Sequence, residues 1–372
     1  MEFKCPSCGG DLKVPDSEKT ASCPYCGSLV LVPEGYAGMS RPSGGMTIGT
    51  AGTEPAVSRT KIAGCLVVMA ALIMLVAGVA AVLFITAVRN DPGKLGVSGP
   101  GTDGSVLLRF GSPGTGTASF TDPRHVAVDG QGRIFVAEYG TGRIQVFDPE
   151  GSFLSQWFVT DAGGDVFISS IDAASDGRVF AVHGGRIGIF DGMTGDSLGE
   201  LSGADGFEDV NVAGDGSIVA TQWSAGDGIF RFSGSGEEEL HVMNAVEDAS
   251  GEPELSPVAS TDGLGNIYIL GVFNSAVFVF DRNGRFTDTF GSSGQGRGRF
   301  SAPSDIAVDS RGLVYVSDFS GIQVFDPYGG FLGTLDTGRS GYVFGMDFDP
   351  SGNLVVVTGD CEVLVIPPFE EQ

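Results

Sequence analysis

Between residues 299 and 330 the chain reads RFSAPSDIAVDSRGLVYVSDFSGIQVFDPYGG, and its apolar residues fall into three short runs, 306–308, 313–316 and 322–325. Each run alternates or is rich in β-branched residues, and each is bounded by Asp, Gly, Ser or Pro, which predicts strands joined by tight turns. A meander of this size cannot bury both of its faces alone. The chain repeats it. A Gly followed by one variable residue and an apolar pair or triplet recurs at Gly132, Gly177, Gly216, Gly265, Gly312 and Gly352, at spacings of 45, 39, 49, 47 and 40 residues. A third apolar run follows each of them, at 144–148, 187–191, 229–232, 277–281, 322–326 and, degenerate, 363–366. Asp129, Asp262, Asp309 and Asp349 stand three residues before their Gly, and Asp176 and Asp215 stand one before. A carboxylate there accepts backbone N–H bonds while Gly supplies a positive φ, so these Asp residues are assigned to turns and not to chemistry.

Six copies of about 44 residues, each with room for four strands, predict an all-β fold, a six-bladed β-propeller. The sixth copy stops after its third strand. The unpaired run SVLLRF at 105–110 is therefore expected to complete that blade from outside and to seal the ring, leaving no long free edge.

The stretch FTDPRHVAVDGQGRIFVAEYGTGRIQVFDPEG at 120–151, and its counterpart at 300–330, resemble NHL repeats, whose members form six-bladed propellers. The resemblance spans about residues 103–372 and speaks to the fold more than to an activity. Some propellers of related type are lyases or hydrolases. The peptide-amidating lyase, an NHL-like propeller, holds zinc with His at matching positions of several blades. Here the three histidines, His125, His183 and His241, occupy non-equivalent places, and no GxSxG or HExxH occurs. The sequence weighs against an enzyme.

The N-terminus has a different character. Cys5-Pro-Ser-Cys8-Gly and Cys23-Pro-Tyr-Cys26-Gly form two CxxC knuckles, and four thiolates at this spacing can close a tetrahedron around zinc. Residues 1–33 thus resemble a zinc ribbon, with Cys5, Cys8, Cys23 and Cys26 as ligands. Residues 34–61 are rich in Gly, Ser, Thr and Pro and are expected to be a flexible linker. From 62 to 88 there are 27 residues without a charge, long enough for one transmembrane helix at about 1.5 Å per residue. A second linker, 89–104, leads to the propeller at 105–372.

Charge is distributed unevenly. Residues 1–100 carry 8 Lys+Arg against 7 Asp+Glu; the remainder carries 13 Arg against 39 Asp+Glu, a net of −26 that closes to the chain's −25. So acidic a domain repels nucleic acid and attracts cations, Ca²⁺ or basic partners. Basic residues flank the apolar stretch on both sides, so orientation is read from the thiols. A reduced four-cysteine site suits the cytoplasm, which places the propeller outside the cell membrane.

In a propeller, the loops entering first strands and those joining second to third strands share one end of the ring. Arg124, His125, Glu138, Tyr139, His183, Trp223, Asp318, Phe319 and Tyr342 are expected there as a ligand-binding surface. The chain is thus expected to be a single-pass membrane protein, a scaffold or sensor. Its extracytoplasmic propeller would bind a protein, peptide or glycan, and its ribbon a cytosolic protein. The alternatives are a membrane-anchored lyase or hydrolase, and a purely structural envelope protein.

Overall fold

A computed structural model describes residues 2–4, 11–13, 20–22, 29–31 and 106–370, apart from 161–165, 202, 204, 224–225, 320, 336 and 338–341. The chain divides into two compact units, Met1–Leu95 and Gly96–Gln372. In the first, Glu2–Lys4 pairs antiparallel with Asp11–Lys13, and Thr20–Ser22 with Leu29–Leu31. Each CxxC pair falls in sequence between the two strands of one such pair. The cysteines themselves lie outside the described residues, as does the apolar stretch 62–88. Among the described residues no helix is long and apolar enough to cross a membrane.

The second unit is the six-bladed β-propeller. Blades one to five are four-stranded antiparallel meanders whose innermost strands are Pro123–Val128, Ile168–Ala173, Phe207–Val212, Pro257–Thr261 and Asp305–Val308. Blade six has only Val343–Phe348, Leu354–Thr358 and Val363–Ile366 from the end of the chain. Its fourth strand is Leu108–Phe110, paired antiparallel with the third so that Arg109 faces Leu364. The N-terminal clasp expected from the sequence therefore closes the ring. Innermost strands contact their neighbours all the way round, including blade six against blade one.

Six apolar clusters hold the ring, and each lies between two adjacent blades. This explains a feature of the pattern. Second strands such as Ile134–Glu138, Ile267–Gly271 and Leu354–Thr358 are buried at every residue, because a blade packs on both faces. Outermost strands see water, as in Ser197–Glu200, where every residue is exposed.

The turn assignments hold in detail. Asp129 Oδ1 accepts from the amides of Gln131 (2.9 Å) and Arg133 (3.0 Å), and Gly132 closes the turn at φ +76°. Asp262, Asp309 and Asp349 make the same bonds. In blades two and three the chain places Ala174 and Ala213 at this first turn position, and Asp176 and Asp215 cap the turn from inside it.

Candidate functional site

Innermost strands do more than finish the blades. Four of them carry a register shift against their second strand, between Pro123/His125, Ile168/Ser170, Phe207/Asp209 and Val343/Gly345. The extra residue at each shift is Arg124, Ser169, Glu208 or Phe344. A bulge of this kind re-aims one side chain at the rim of a sheet. Here all four shifts lie at the end of the blade where second strands turn into third strands.

Around blade one these residues form a continuous row. The Arg124 guanidinium lies 4.4 Å from the Tyr139 ring centroid and 5.5 Å from that of Phe344. Tyr139 stands 5.4 Å from Phe167, and Phe344 stands 5.1 Å from Tyr342. Arg124 Nε donates to Asp122 Oδ1 at 2.9 Å. The Tyr342 hydroxyl donates to the carbonyl of Ala302, tying blade six to the loop that leads into blade five. Blade three presents Trp223, 47% exposed, beside Glu208. Phe273 and Phe319 are 56% and 46% exposed on the turns of blades four and five.

Below the mouth, the channel is acidic. Asp347 Oδ2 accepts from Val128 N at 2.6 Å, Asp172 Oδ2 from Val212 N at 2.6 Å, and Asp209 Oδ2 from Ala259 N at 2.7 Å; Asp305 accepts likewise from Met346 N. Each of these bonds crosses to the innermost strand of the next blade. Burial pushes Asp347 up to about 7 and Asp209 up to about 6, and burial with neighbouring carboxylates raises Asp172 and Asp305 as well. Burial, with the Arg124 charge beside it, holds His125 down to about 4, so its imidazole is neutral near pH 7. Glu208 is raised to about 7, by burial and then by the adjacent Asp209.

The expected surface residues thus part into two groups. Arg124, Tyr139, Trp223, Phe319 and Tyr342 stand at the channel mouth. Glu138 and Asp318 are buried and act as loop anchors instead: Glu138 takes bonds from Arg143 and Thr121, and Asp318 from the amides of Ser301 and Ala302. His183 is buried beside Phe190, with ring centroids 6.3 Å apart, and His125 lines the innermost strand of blade one. Sequence reasoning missed Glu208, Phe344, Phe167 and Phe273, together with the four channel aspartates. One signal was legible: acidic residues interrupt the apolar first-strand runs at Asp172, Glu208, Asp209 and Asp347. Among the described residues, no group of three or more His, Cys, Asp or Glu is placed to hold a metal ion.

Residues 120–147 match the NHL repeat model, and residues 254–342 match a model described as a 6-bladed beta-propeller. NHL repeat-containing protein 3 of Homo sapiens is 35% identical over 106 residues, 27% of this chain and 29% of that protein. The B-box type zinc finger protein ncl-1 of Caenorhabditis elegans is 52% identical over 48 residues, 13% of this chain and 6% of that protein. The chain therefore spans less than a third of either relative. A gluconolactonase structure from Xanthomonas campestris superposes with TM-score 0.52 at 18% identity, covering 73% of this chain and 99% of that one. At this identity the likeness is one of fold.

Proposed function

We propose that the propeller is a binding module that takes a protein segment across the channel mouth. The observation that carries this reading is the exposure of Phe167, Trp223, Leu255, Phe273 and Phe319 at one end of the ring, beside the Arg124–Tyr139–Phe344 row. Large apolar side chains left in water around a rigid rim cost solvation, and aromatic and Arg side chains are the usual anchors of protein interfaces. Enzyme chemistry has less support, because His183 is buried beside Phe190 and Glu138 is buried and committed to holding a loop. A photo-crosslinking amino acid at Phe273 or Phe319 is expected to label a discrete protein in native membranes. The same group at Tyr328, on the opposite end of the ring, is expected to label none. Equal labelling at the two ends, or none at either, would defeat the reading.

The proposal extends to the rest of the chain. Cys5, Cys8, Cys23 and Cys26 would hold one zinc ion, each knuckle joining two short paired strands; the matched relative from Caenorhabditis elegans is named a zinc finger protein. Residues 62–88 would cross the cell membrane, with the ribbon in the cytoplasm and the propeller outside. Metal analysis of the full-length chain is expected to find one zinc per chain, and none in Cys5→Ser. A tag after Gln372 is expected to be digested by protease added to intact cells. Protection of that tag would reverse the orientation.

A further inference from the structure

Blades one and three share one local plan with opposite charge. In blade one the first strand opens with Pro123 opposite Glu138, the extra residue is Arg124, and Tyr139 follows the second strand. In blade three Phe207 lies opposite Gln222, the extra residue is Glu208, and Trp223 follows the second strand. The two pairs occupy equivalent places in the fold.

Blade one fills its own platform. The Arg124 guanidinium lies over Tyr139 and pairs with Asp122. A cation is drawn to an aromatic face by the ring quadrupole, and a guanidinium is drawn further to an adjacent carboxylate. Blade three has the aromatic ring and the carboxylate, with the carboxylate standing where blade one has its cation. Trp223 stands close enough to Glu208 to favour its ionised form, and the indole stays 47% exposed. The neighbouring charge on the same strand is Asp209, of the same sign. We propose that Glu208 and Trp223 form a receptor for one arginine side chain of a partner's peptide segment, completing in trans the arrangement that Arg124 and Tyr139 complete in cis. The proposal rests on the reading of this end as a protein-binding surface and names the chemistry it selects.

The test uses the full-length chain in detergent at pH 8.5, where Glu208 is ionised, with acetylated and amidated triarginine as the probe and tricitrulline as its uncharged counterpart, followed by calorimetry at fixed ionic strength. The expected result is saturable binding of triarginine, at least tenfold weaker binding of tricitrulline, and about tenfold weakening of triarginine in Glu208→Gln. Glu208→Arg would lay its own guanidinium on Trp223 and is expected to abolish binding. Glu208→Gln changes only one charge of a chain whose net is −25, so attraction to the overall field would survive it. Triarginine binding within twofold of the parent in these two variants would overturn the proposal. If the crosslinks at Phe273 and Phe319 persisted in that case, the surface reading would stand without it. If the crosslinks failed while triarginine obeyed Glu208, the arginine site would stand and the wider surface reading would fall.

Discussion

At the scale of single residues, the channel carboxylates set how the fold responds to pH. Asp172 and Asp347 occupy one position of the innermost strand, and Asp209 and Asp305 the position two residues earlier; each fastens the next blade. Burial raises all four, so the folded chain keeps protons that the unfolded chain releases near pH 4. Their contribution is fully present below that pH and is lost as pH rises, through about 6 for Asp209 and about 7 for Asp347. His125 acts in the other direction. Its folded value near 4 means that the unfolded chain takes up a proton first, so its contribution falls as pH drops from about 6.5 to 4. Comparing Asp347→Asn with the parent cancels the His125 effect. Around Asp347 the charged groups are Asp172, Asp305 and Asp349, all of one sign. Asn can still accept from Val128 N without carrying charge. The variant is expected to flatten the decline in Tm between pH 5 and 7.5, and to gain about 1 kcal/mol at pH 7.5, roughly 2–4 °C. An unchanged slope would show that Asp347 ionises in the ring at its ordinary pH.

At the scale of elements, two loops reveal how far the repeat extends. Gln145 Oε1 accepts from Ala118 N at 3.0 Å and its Nε2 donates to Ser119 O at 2.9 Å; Gln323 does the same for Gly298 N and Arg299 O. The segments leading into blades one and five are thus one structure used twice, as the likeness of 120–151 to 300–330 implied. Blade one adds Arg143, buried, whose guanidinium binds Glu138 and the carbonyls of Thr115 (2.7 Å) and Ser119 (2.8 Å). Removing one side of a buried pair strands the other charge. Arg143→Ala is expected to cost about 3 kcal/mol in a denaturant melt, with protease cutting first between 111 and 122. Gly345 makes a second case. A Cβ there would stand 2.7 Å from the carbonyl oxygen of Arg124 and 3.1 Å from the Cα of His125, so only glycine lets blade six approach blade one this closely. Gly345→Ala is expected to destabilise by about 1–3 kcal/mol; a neutral result would mean that the two strands can move apart freely. The turns were legible because Asp and Gly act on their own neighbours. The bulges were not, because an extra residue is defined only against the strand it fails to pair with.

At the scale of the molecule, closure is a single short strand. Leu108–Phe110 covers the edge of Val363–Ile366, and Phe110 packs 4.7 Å from Phe147 of blade one. A chain beginning at Gly111 is expected to lose about 3 kcal/mol and to self-associate through the uncovered edge, as sedimentation would show. A monomer of parental stability would mean that the inter-blade clusters suffice without the clasp. Six copies, their turn chemistry and the one strand of twenty-four that the last copy lacks, supplied by the N-terminal strand, were determined by the sequence itself. They depend on interactions between residues a few positions apart, which local patterning records. Tertiary structure decided the rest: that Glu138 and Asp318 are buried as loop anchors, that four aspartates from different blades share one acidic space, and that Glu208 stands where blade one carries Arg124. Those relations join residues from separate blades or depend on strand register. Ring closure brings them together, and burial then changes their chemistry.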